Sequence, residues 1–382
     1  MSGPLAGLAV VELAGIGPAP FAAMLLADLG AEVLRIDRPG PSRYPGDPRH
    51  DLLNRGKRSA VVDLKRPEGA AVVRTLAARA DVILEGYRPG VAERLGVGPE
   101  DCQRVNPRLV YGRMTGWGQR GPLAHTAGHD LTYLATSGVL HTIGPAGGPP
   151  VPPLNLLGDY GGGGMLLAAG VLAALWHAQR TGTGQVVDAA IVDGAALLAT
   201  QMFGLRAGGL WRDERGANLF DGGAPNYSVY RTSDGGYLAV GALEPEFYTE
   251  FLTRLGLDPH TTPSPYDVAQ WPRLRQLIAD RLATRTRDEW VAVFADSDAC
   301  VAPVLSPGEA QDHPHLAARG VFVDLHGVRQ PAPAPRFSGT PARPPTLPPP
   351  YPGEHTRQAL ADWGVPEVDK LIEDGVAVQA DV

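Results

Sequence analysis

Cysteine is scarce in this sequence, since Cys102 and Cys300 are the only two thiols among 382 residues. Two isolated cysteines are too few for a disulfide framework or a cysteine-based metal site, so we expect a reducing compartment, the cytoplasm. The N-terminal stretch lacks a basic region and carries Glu12 inside its apolar run, which is typical of a core strand rather than a signal peptide. A C-terminal Ser-Lys-Leu is also missing, which argues against peroxisomal delivery by that signal.

Positive charge is in slight deficit: 34 Lys and Arg stand against 41 Asp and Glu, a formal net charge of −7. This balance disfavours nucleic acid as the main partner. Long apolar runs are missing too. The longest, residues 161–176, is short for a membrane span, opens with four glycines and directly follows Asp159 and Tyr160. We therefore expect a buried helix there and no membrane partner.

Hydrophobic residues make up 44% of the chain and charged residues 20%, enough for a large core and unlike a disordered, fibrous or coiled-coil protein. A length of 382 residues predicts two structural units. Short β-branched runs alternate with helical ones from the start, which predicts an α/β fold with a Rossmann-like parallel sheet covered by helices. The segments that alternate are GLAVVEL, FAAMLLADLG, AEVLRID, SAVVDL, EGAAVVRTLAARA, DVILEGY and LVYGRMTG.

Composition changes near residues 210–225, where Gly, Arg and Asn dominate, and this change predicts a domain boundary. A hairpin with its turn at 234–236 follows, then helical patterns at 246–255, 272–284 and 287–296, which together indicate a smaller α+β unit. Ten prolines in residues 331–352 predict an extended tether. The expected divisions are a large domain at 1–205, a linker at 206–224, a small domain at 225–325, a return linker at 326–352, and C-terminal helices at 353–382 that complete the large domain.

Several familiar motifs are incomplete or missing. Gly15 and Gly17 match the first two glycines of a dinucleotide-binding fingerprint, but Pro20 stands where the third belongs, which weakens a dehydrogenase interpretation. Gly56 and Lys57 lack the upstream glycine of a phosphate-binding loop. There is no Gly-x-Ser-x-Gly elbow and no His-Glu-x-x-His, so nucleoside triphosphate, serine hydrolase and zinc peptidase chemistry lose support.

His129 and Asp159 each allow two interpretations. In the structural one, His129 is a polar neighbour at a helix start capped by Asp130, and Asp159 caps the helix that begins in the glycine run. In the functional one, a carboxylate at a buried helix start followed by glycines 161–164 places a base and backbone N–H groups at one point. Donors of this kind, aimed at an enolate oxygen, typically contribute about 3 kcal/mol each to transition-state stabilisation. The residues alone leave both interpretations open.

Eight segments, in order along the chain, resemble the α-methylacyl-CoA racemases within the class III (formyl-CoA-type) CoA-transferase superfamily, and the resemblance covers nearly the whole chain. It implies an interlocked homodimer, with each active site between the large domain of one chain and the small domain of the other. The segments are VVELAGIGPAPFAAMLLADLGAEVLRIDRPG, NRGKRSAVVDLK, GYRPGVAERLG, AGHDLTY, PPLNLLGDYGGGG, GANLFDGGAPNY, VGALEPEFY and SDACVAPV.

The resemblance also implies roles for single residues. His129 and Asp159 match the two catalytic acid/base groups, and Glu244 matches the residue that orients the histidine. Other positions match those that contact the thioester, the pantetheine arm or the CoA nucleotide: Arg38, Val62, Asp63, Leu64, Lys65, Arg88, Gly128, Asp130, Tyr133, Asn155, Gly161 and Tyr227.

The implied reaction interconverts the two epimers of a 2-methylacyl-CoA, which requires acid/base groups on both faces of a planar enolate. No metal or organic cofactor is expected, because the thioester itself acidifies the C2 proton. The main alternative is a CoA transferase in which Asp159 is a covalent nucleophile. A transferase does not need His129, so His129 and Glu244 together favour the racemase. A non-catalytic CoA-binding protein is disfavoured by the intact set of three residues.

Overall fold

The computed structural model describes residues 2–382, which fall into two compact units. The first unit contains the chain up to Ser137, residues 154–198 and residues 320–382, and the second contains residues 138–153 and 199–319. These limits differ from the expected ones because residues 138–153 bond within the second unit. Arg215 donates hydrogen bonds to the carbonyl oxygens of His141, at 2.8 Å, and Gly148, at 2.7 Å.

Twelve strands are present in the described chain. They are β1 Ala9–Leu13, β2 Glu32–Asp37, β3 Arg58–Val62, β4 Val82–Glu85, β5 Val110–Thr115, β6 Val186–Ala190, β7 Tyr227–Arg231, β8 Tyr237–Gly241, β9 Val301–Pro303, β10 Phe322–Leu325, β11 Val328–Pro331 and β12 Ala377–Val378.

Fifteen α-helices accompany them between residues 2 and 382. They are α1 Pro18–Asp28, α2 Pro67–Ala77, α3 Val91–Arg94, α4 Pro99–Val105, α5 Asp130–Thr136, α6 Leu166–Thr181, α7 Ile191–Leu198, α8 Thr200–Ala207, α9 Pro245–Leu255, α10 Trp271–Leu282, α11 Arg287–Phe294, α12 Pro307–Asp312, α13 Pro314–Arg319, α14 Thr356–Asp362 and α15 Val368–Glu373. A π-helix, Leu156–Met165, leads directly into α6.

The first unit contains a seven-stranded sheet in the order β12-β3-β2-β1-β4-β5-β6. Strands β1 to β6 run parallel and β12 is antiparallel to β3, so the parallel α/β core predicted from the alternating runs is confirmed. The chain order reverses between β1 and β4. In sheets of this kind, ligands bind outside the carboxyl ends of the strands at the point of reversal.

Helices cover both faces of this sheet because its strands are apolar on both sides. On one face, Leu76, Leu360 and Trp363 pack into a core with β1, β2 and β3 side chains. On the other face, Leu26 and Leu167 pack into a second core. The C-terminal helices α14 and α15 belong to the first unit, where α14 lies against β3.

Buried charges fix the turn after β1. Lys57 and Glu12 are both completely buried, and the Lys57 ammonium donates to the Glu12 carboxylate at 2.6 Å and to the Pro20 carbonyl at 3.0 Å. Arg35 donates to the other Glu12 oxygen at 2.6 Å. Burial lowers the pKa of Lys57, and the charge of Glu12 opposes that effect. This network ties the end of β1 to the beginning of α1.

The glycine run packs helices together. A Cβ atom on Gly194 in α7 would lie 1.8 Å from the Gly162 carbonyl oxygen, and one on Gly164 would lie 2.6 Å from the Phe21 ring. Gly162, Gly163 and Gly164 are buried in these contacts. The run therefore permits close approach of α1 and α7.

The helix expected to be buried is buried on one face only. Leu167 and Val171 are fully buried beside the sheet, whereas 52% of Met165 and 63% of Trp176 are exposed. Within residues 2–382, the continuous helix Leu156–Thr181 is the one long and apolar enough to cross a membrane, by length and composition alone. Of its most apolar 18 residues, which have a mean hydropathy of 1.3, 44% are buried inside the protein.

The second unit contains a three-stranded antiparallel sheet in the order β7-β8-β9. The predicted hairpin is confirmed, with Tyr230 opposite Leu238 and the turn at 234–236. Helices α9, α10 and α11 match the predicted helical patterns. Their buried side chains, including Phe251, Ile278 and Trp290, form the core of this unit.

Candidate functional site

A cavity of about 580 Å³ lies at the carboxyl ends of β1, β4 and β5 in the first unit, where the strand order reverses. We call it the switch-point cavity. Each of these strands delivers one wall through the loop that follows it. Its lining residues are Ile16, Gly17, Pro18, Ala19, Arg43, Gly86, Tyr87, Arg88, Pro89, Met114, Thr115, Gly116, Trp117, Ala124, Thr126, Ala127, Gly128, His129, Tyr133, Asn155, Asp159, Tyr160 and Ile191.

Six of the residues predicted from the sequence line this cavity: Arg88, Gly128, His129, Tyr133, Asn155 and Asp159. Asp130 and Gly161 lie beside lining residues without lining it themselves. Arg38 lines a second cavity, and Val62, Asp63, Leu64 and Lys65, at the end of β3, line neither. Tyr227 and Glu244 belong to the second unit.

His129 stands immediately before α5, in extended backbone, with its side chain exposed. The Thr132 hydroxyl accepts a hydrogen bond from the His129 N–H at 3.0 Å and donates to the His129 carbonyl at 2.7 Å. These bonds satisfy the backbone N–H and carbonyl of His129. The interpretation of Asp130 as the cap of this helix is wrong, because Asp130 is already its first residue.

Asp130 instead supports Asp159. Its carboxylate accepts a hydrogen bond from the Asp159 N–H at 2.6 Å, a donor that the first turn of the π-helix leaves unpaired. Gly158 makes room for this contact, since a Cβ atom there would lie 2.2 Å from the Asp130 carboxylate. Asp159 is the fourth residue of the π-helix, so it is not the cap of that helix either.

The Asp159 carboxyl is partly buried, and burial raises its pKa above the usual range. The negative charge of Asp130 raises it further, whereas a hydrogen bond from Asn155 and the charge of His129 lower it. Gly17, at a φ of 73°, lies beside this carboxylate: a Cβ atom on it would lie 3.3 Å from Oδ2. Perturbed carboxyl groups in a cavity are typical of functional sites.

Tyr133 fills a slot between two loops. A Cβ atom on Gly116 would lie 1.9 Å from its ring, and one on Gly128 would lie 2.5 Å from it. Trp117 packs edge-on against the same ring at 4.8 Å, and its indole Nε1 is buried with no hydrogen-bond partner among the described residues. Sequence reasoning missed Trp117 because no motif marks it. An indole next to predicted site residues was the one available signal.

Glu85, also missed, holds the wall that follows β4. One of its carboxylate oxygens accepts a hydrogen bond from the Tyr87 N–H at 2.5 Å, and the other accepts one from Arg113 at 2.9 Å. Burial raises the pKa of Glu85 to about 7, against the lowering effect of these bonds. The loop that carries Tyr87 and Arg88 is therefore anchored from inside the sheet.

A second cavity, of about 250 Å³, lies next to the first within the same unit, and we call it the arginine cavity. It is lined by Arg35, Arg38 and Arg43, and also by Pro350 and Pro352 from the proline-rich segment. Ile16, Gly17 and Arg43 line both cavities. Arg43 was missed because its loop carries no regular pattern.

The second unit carries Glu244 immediately before α9 and Tyr227 at the start of β7. Phe220 packs edge-on against the Tyr227 ring at 5.4 Å. Cys300, an exposed thiol in the same unit, has its pKa raised first by partial burial and then by the charge of Glu244. Among residues 2–382, no group of three or more His, Cys, Asp or Glu side chains could hold a metal ion.

Comparison with known proteins relates this arrangement to one family. A family model described as CoA-transferase family III matches residues 5–356. The α-methylacyl-CoA racemase of Homo sapiens is 48% identical over 361 residues, covering 94% of this chain and 93% of that protein. The racemase of Mus musculus is 46% identical over 368 residues, covering 96% of this chain and 95% of that protein.

More distant relatives include transferases. The succinyl-CoA:glutarate CoA-transferase of Mus musculus is 30% identical, covering 98% of this chain and 91% of that protein. A solved structure of a CaiB/BaiF family protein from Brucella suis is 29% identical with a TM-score of 0.82, covering 95% of this chain and all of that one. The resemblance derived from the sequence motifs is confirmed.

Proposed function

The chain belongs to CoA-transferase family III, and we propose that within this family it is an α-methylacyl-CoA racemase that interconverts the (2R) and (2S) epimers of 2-methylacyl-CoA thioesters. The observation that carries this proposal is that His129 and Asp159, one imidazole and one carboxyl group, line the same cavity. Racemisation of a carbon acid needs two such groups, one for each face of the enolate.

In the proposed reaction, one of the two groups removes the C2 proton, and the electron pair of the broken C–H bond moves into the thioester to form an enolate. The other group then delivers its own proton to the opposite face of C2. After turnover the protonation states of His129 and Asp159 are exchanged, and proton exchange with water restores them. Each positioned group typically contributes about 100- to 10,000-fold.

The raised pKa of Asp159 suits this exchange of roles. A carboxyl group with its ordinary pKa would be a weak base and would rarely carry a proton near neutral pH. Burial and the charge of Asp130 raise the pKa, which brings the proton affinity of Asp159 closer to that of an imidazole. The thioester supplies the acidity of C2, so we propose that the reaction needs no cofactor and that CoA enters as part of the substrate.

We also propose that the working form is an interlocked homodimer in which Glu244 of one copy orients His129 of the other. The resemblance to the racemases implies this arrangement. Exposed apolar side chains on the first unit, including Leu172, Trp176 and Leu197, offer a surface for a second copy. We propose the cytoplasm as the place of action because of the scarcity of cysteine, and no nucleic acid or membrane as partner.

The first test follows one pure enantiomer of a 2-methylacyl-CoA in deuterated water by NMR. We expect deuterium to enter C2 while both epimers appear. His129→Ala and Asp159→Asn should each slow epimerisation at least 100-fold. Transfer of CoA to an added carboxylic acid, without C2 exchange, would instead support a transferase with Asp159 as the nucleophile.

A second test addresses the shared site. Co-expression of His129→Ala chains with Glu244→Ala chains should yield mixed dimers that regain activity, because one of their two sites then contains both native residues. The separately purified variants should stay inactive when each is assayed alone. If mixed dimers are as inactive as the parents, His129 and Glu244 do not come together from different chains.

A further inference from the structure

Arg43 occupies the border between the two cavities of the first unit. It lies in the loop between β2 and β3, and it lines both the switch-point cavity and the arginine cavity. Arg38 lines only the arginine cavity, and Arg88 lines only the switch-point cavity. A molecule that extends from one cavity into the other must therefore pass Arg43.

The charge of Arg43 is not neutralised by a neighbour. Between residues 2 and 382, no carboxylate forms an ion pair or hydrogen bond with the guanidinium of Arg38, Arg43 or Arg88. Arg35, in contrast, is paired with Glu12 at 2.6 Å and with Asp37 at 3.0 Å. Asp37 and Asp51 also line the arginine cavity, but neither pairs with the exposed Arg43, so the Arg43 guanidinium is free to bind an anion at the border.

The charge also acts inside the switch-point cavity. Burial and the charge of Glu85 raise the pKa of Tyr87 to about 12, and the positive charge of Arg43 opposes this shift. Tyr87 lines the switch-point cavity next to Arg88. The Arg43 guanidinium is therefore close enough to influence groups on that side of the border.

An acyl-CoA has the matching order of parts. Its thioester and its nucleotide are at opposite ends of a long molecule, and the diphosphate lies between them. If C2 is held between His129 and Asp159, a nucleotide bound in the arginine cavity places the diphosphate at the border. We propose that Arg43 binds this diphosphate, an inference that rests on the proposed function and assigns a residue that the sequence motifs did not.

This role predicts an effect on substrate binding and not on proton transfer. Arg43→Ala should raise the KM for a 2-methylacyl-CoA by about 10- to 100-fold, as expected for loss of a hydrogen bond to a charged group, and should leave kcat within about twofold. Arg43→Lys keeps the charge but not the planar fork, so its KM should lie between those of the native enzyme and Arg43→Ala.

Three substrates distinguish the diphosphate from other contacts: the full 2-methylacyl-CoA, its 3′-dephospho form, and the corresponding acyl-pantetheine. The factor by which Arg43→Ala raises the KM should be the same for the first two substrates. It should vanish for acyl-pantetheine, which has no diphosphate. A factor that disappears with the 3′-dephospho form would place Arg43 at the ribose phosphate and overturn the proposal. An equal rise in KM with acyl-pantetheine would also overturn the proposal.

Arg108→Ala is the matched control, because Arg108 is exposed just before β5, at the amino end of the strand and away from both cavities. It removes the same charge and should leave the KM unchanged. Calorimetric titration with CoA alone tests the role of Arg43 separately from the proposed racemase function. If the native protein racemises nothing, the proposed function fails, whereas an unchanged CoA affinity in Arg43→Ala contradicts the role of Arg43.

Discussion

At the scale of single residues, the pair Asp130 and Asp159 shows how a backbone contact and a charge act together. The Asp130 carboxylate accepts the Asp159 N–H and at the same time raises the pKa of the Asp159 side chain. Asp130 thus holds the backbone of Asp159 and adds to the effect of burial on its pKa. The two effects can be separated, because an amide oxygen accepts the same hydrogen bond without the negative charge.

Asp130→Asn should therefore lower the pKa of Asp159 while leaving its position unchanged. The acid limb of the racemisation rate, in the direction that uses Asp159 as the base, should move to lower pH, because the carboxylate then stays ionised further into acid. The measurement is the pH dependence of kcat for each epimer. An acid limb that stays in place, or moves to higher pH, would contradict the effect of the Asp130 charge.

At the scale of elements, the contact between the π-helix and α7 depends on two glycines that meet backbone to backbone. The Gly162 carbonyl occupies the space that a Cβ on Gly194 would need. Because this neighbour is backbone and not a flexible side chain, the helices would have to separate to admit a methyl group. The π-helix carries Asp159, so helix spacing and the cavity are linked.

Gly194→Ala should lower the free energy of unfolding by about 1–3 kcal/mol or more, the usual cost of overpacking. The matched control is Gly204→Ala in α8, where nothing lies within 4 Å of an added Cβ, so the change should stabilise the helix by about 0.5–1 kcal/mol. Urea unfolding of both variants gives the comparison. Equal effects of the two substitutions would show that the backbone contact is not limiting.

The sequence predicted most elements of the parallel sheet, because alternating strand and helix patterns are local. It also identified His129 and Asp159 as candidate site residues, because they lie in motifs of a recognisable family. Glu85 and Arg43 escaped prediction for a physical reason: a buried carboxylate that holds a loop and an arginine between two cavities depend on neighbours distant in sequence. The glycine run kept two interpretations open, because packing against a helix and approach of a ligand favour the same residue.

At the scale of the whole molecule, Thr356 connects the C-terminal segment to the sheet of the first unit. This completely buried residue accepts a hydrogen bond from the Val61 N–H at 3.0 Å, and its single hydroxyl proton is shared between the carbonyl oxygens of Val378, at 2.7 Å, and Gly353, at 3.0 Å. One hydroxyl thus joins β3, the segment before α14, and β12. The C-terminal segment also supplies Pro350 and Pro352 to the arginine cavity.

Thr356→Val should lower the free energy of unfolding by about 2–4 kcal/mol, because it leaves buried backbone groups without partners while keeping the shape of the side chain. Thr356→Ser keeps the hydroxyl and should cost only about 1 kcal/mol for the lost methyl group. Chemical denaturation of the two variants tests this difference. If serine and valine are equally destabilising, the hydroxyl is not what joins the three segments.

The hydrogen bond between Val61 and Thr356 also limits when folding can be completed during synthesis of the chain. The bond between Val61 and Thr356 spans 295 residues. At about 5 to 20 residues per second, a ribosome needs about 15 to 60 seconds between making these two partners. All of residues 199–319 are translated in that interval. All residues of the second unit have thus been synthesised before Thr356 and β12 can pair with β3. The large sheet is therefore the last part of the fold that can be completed.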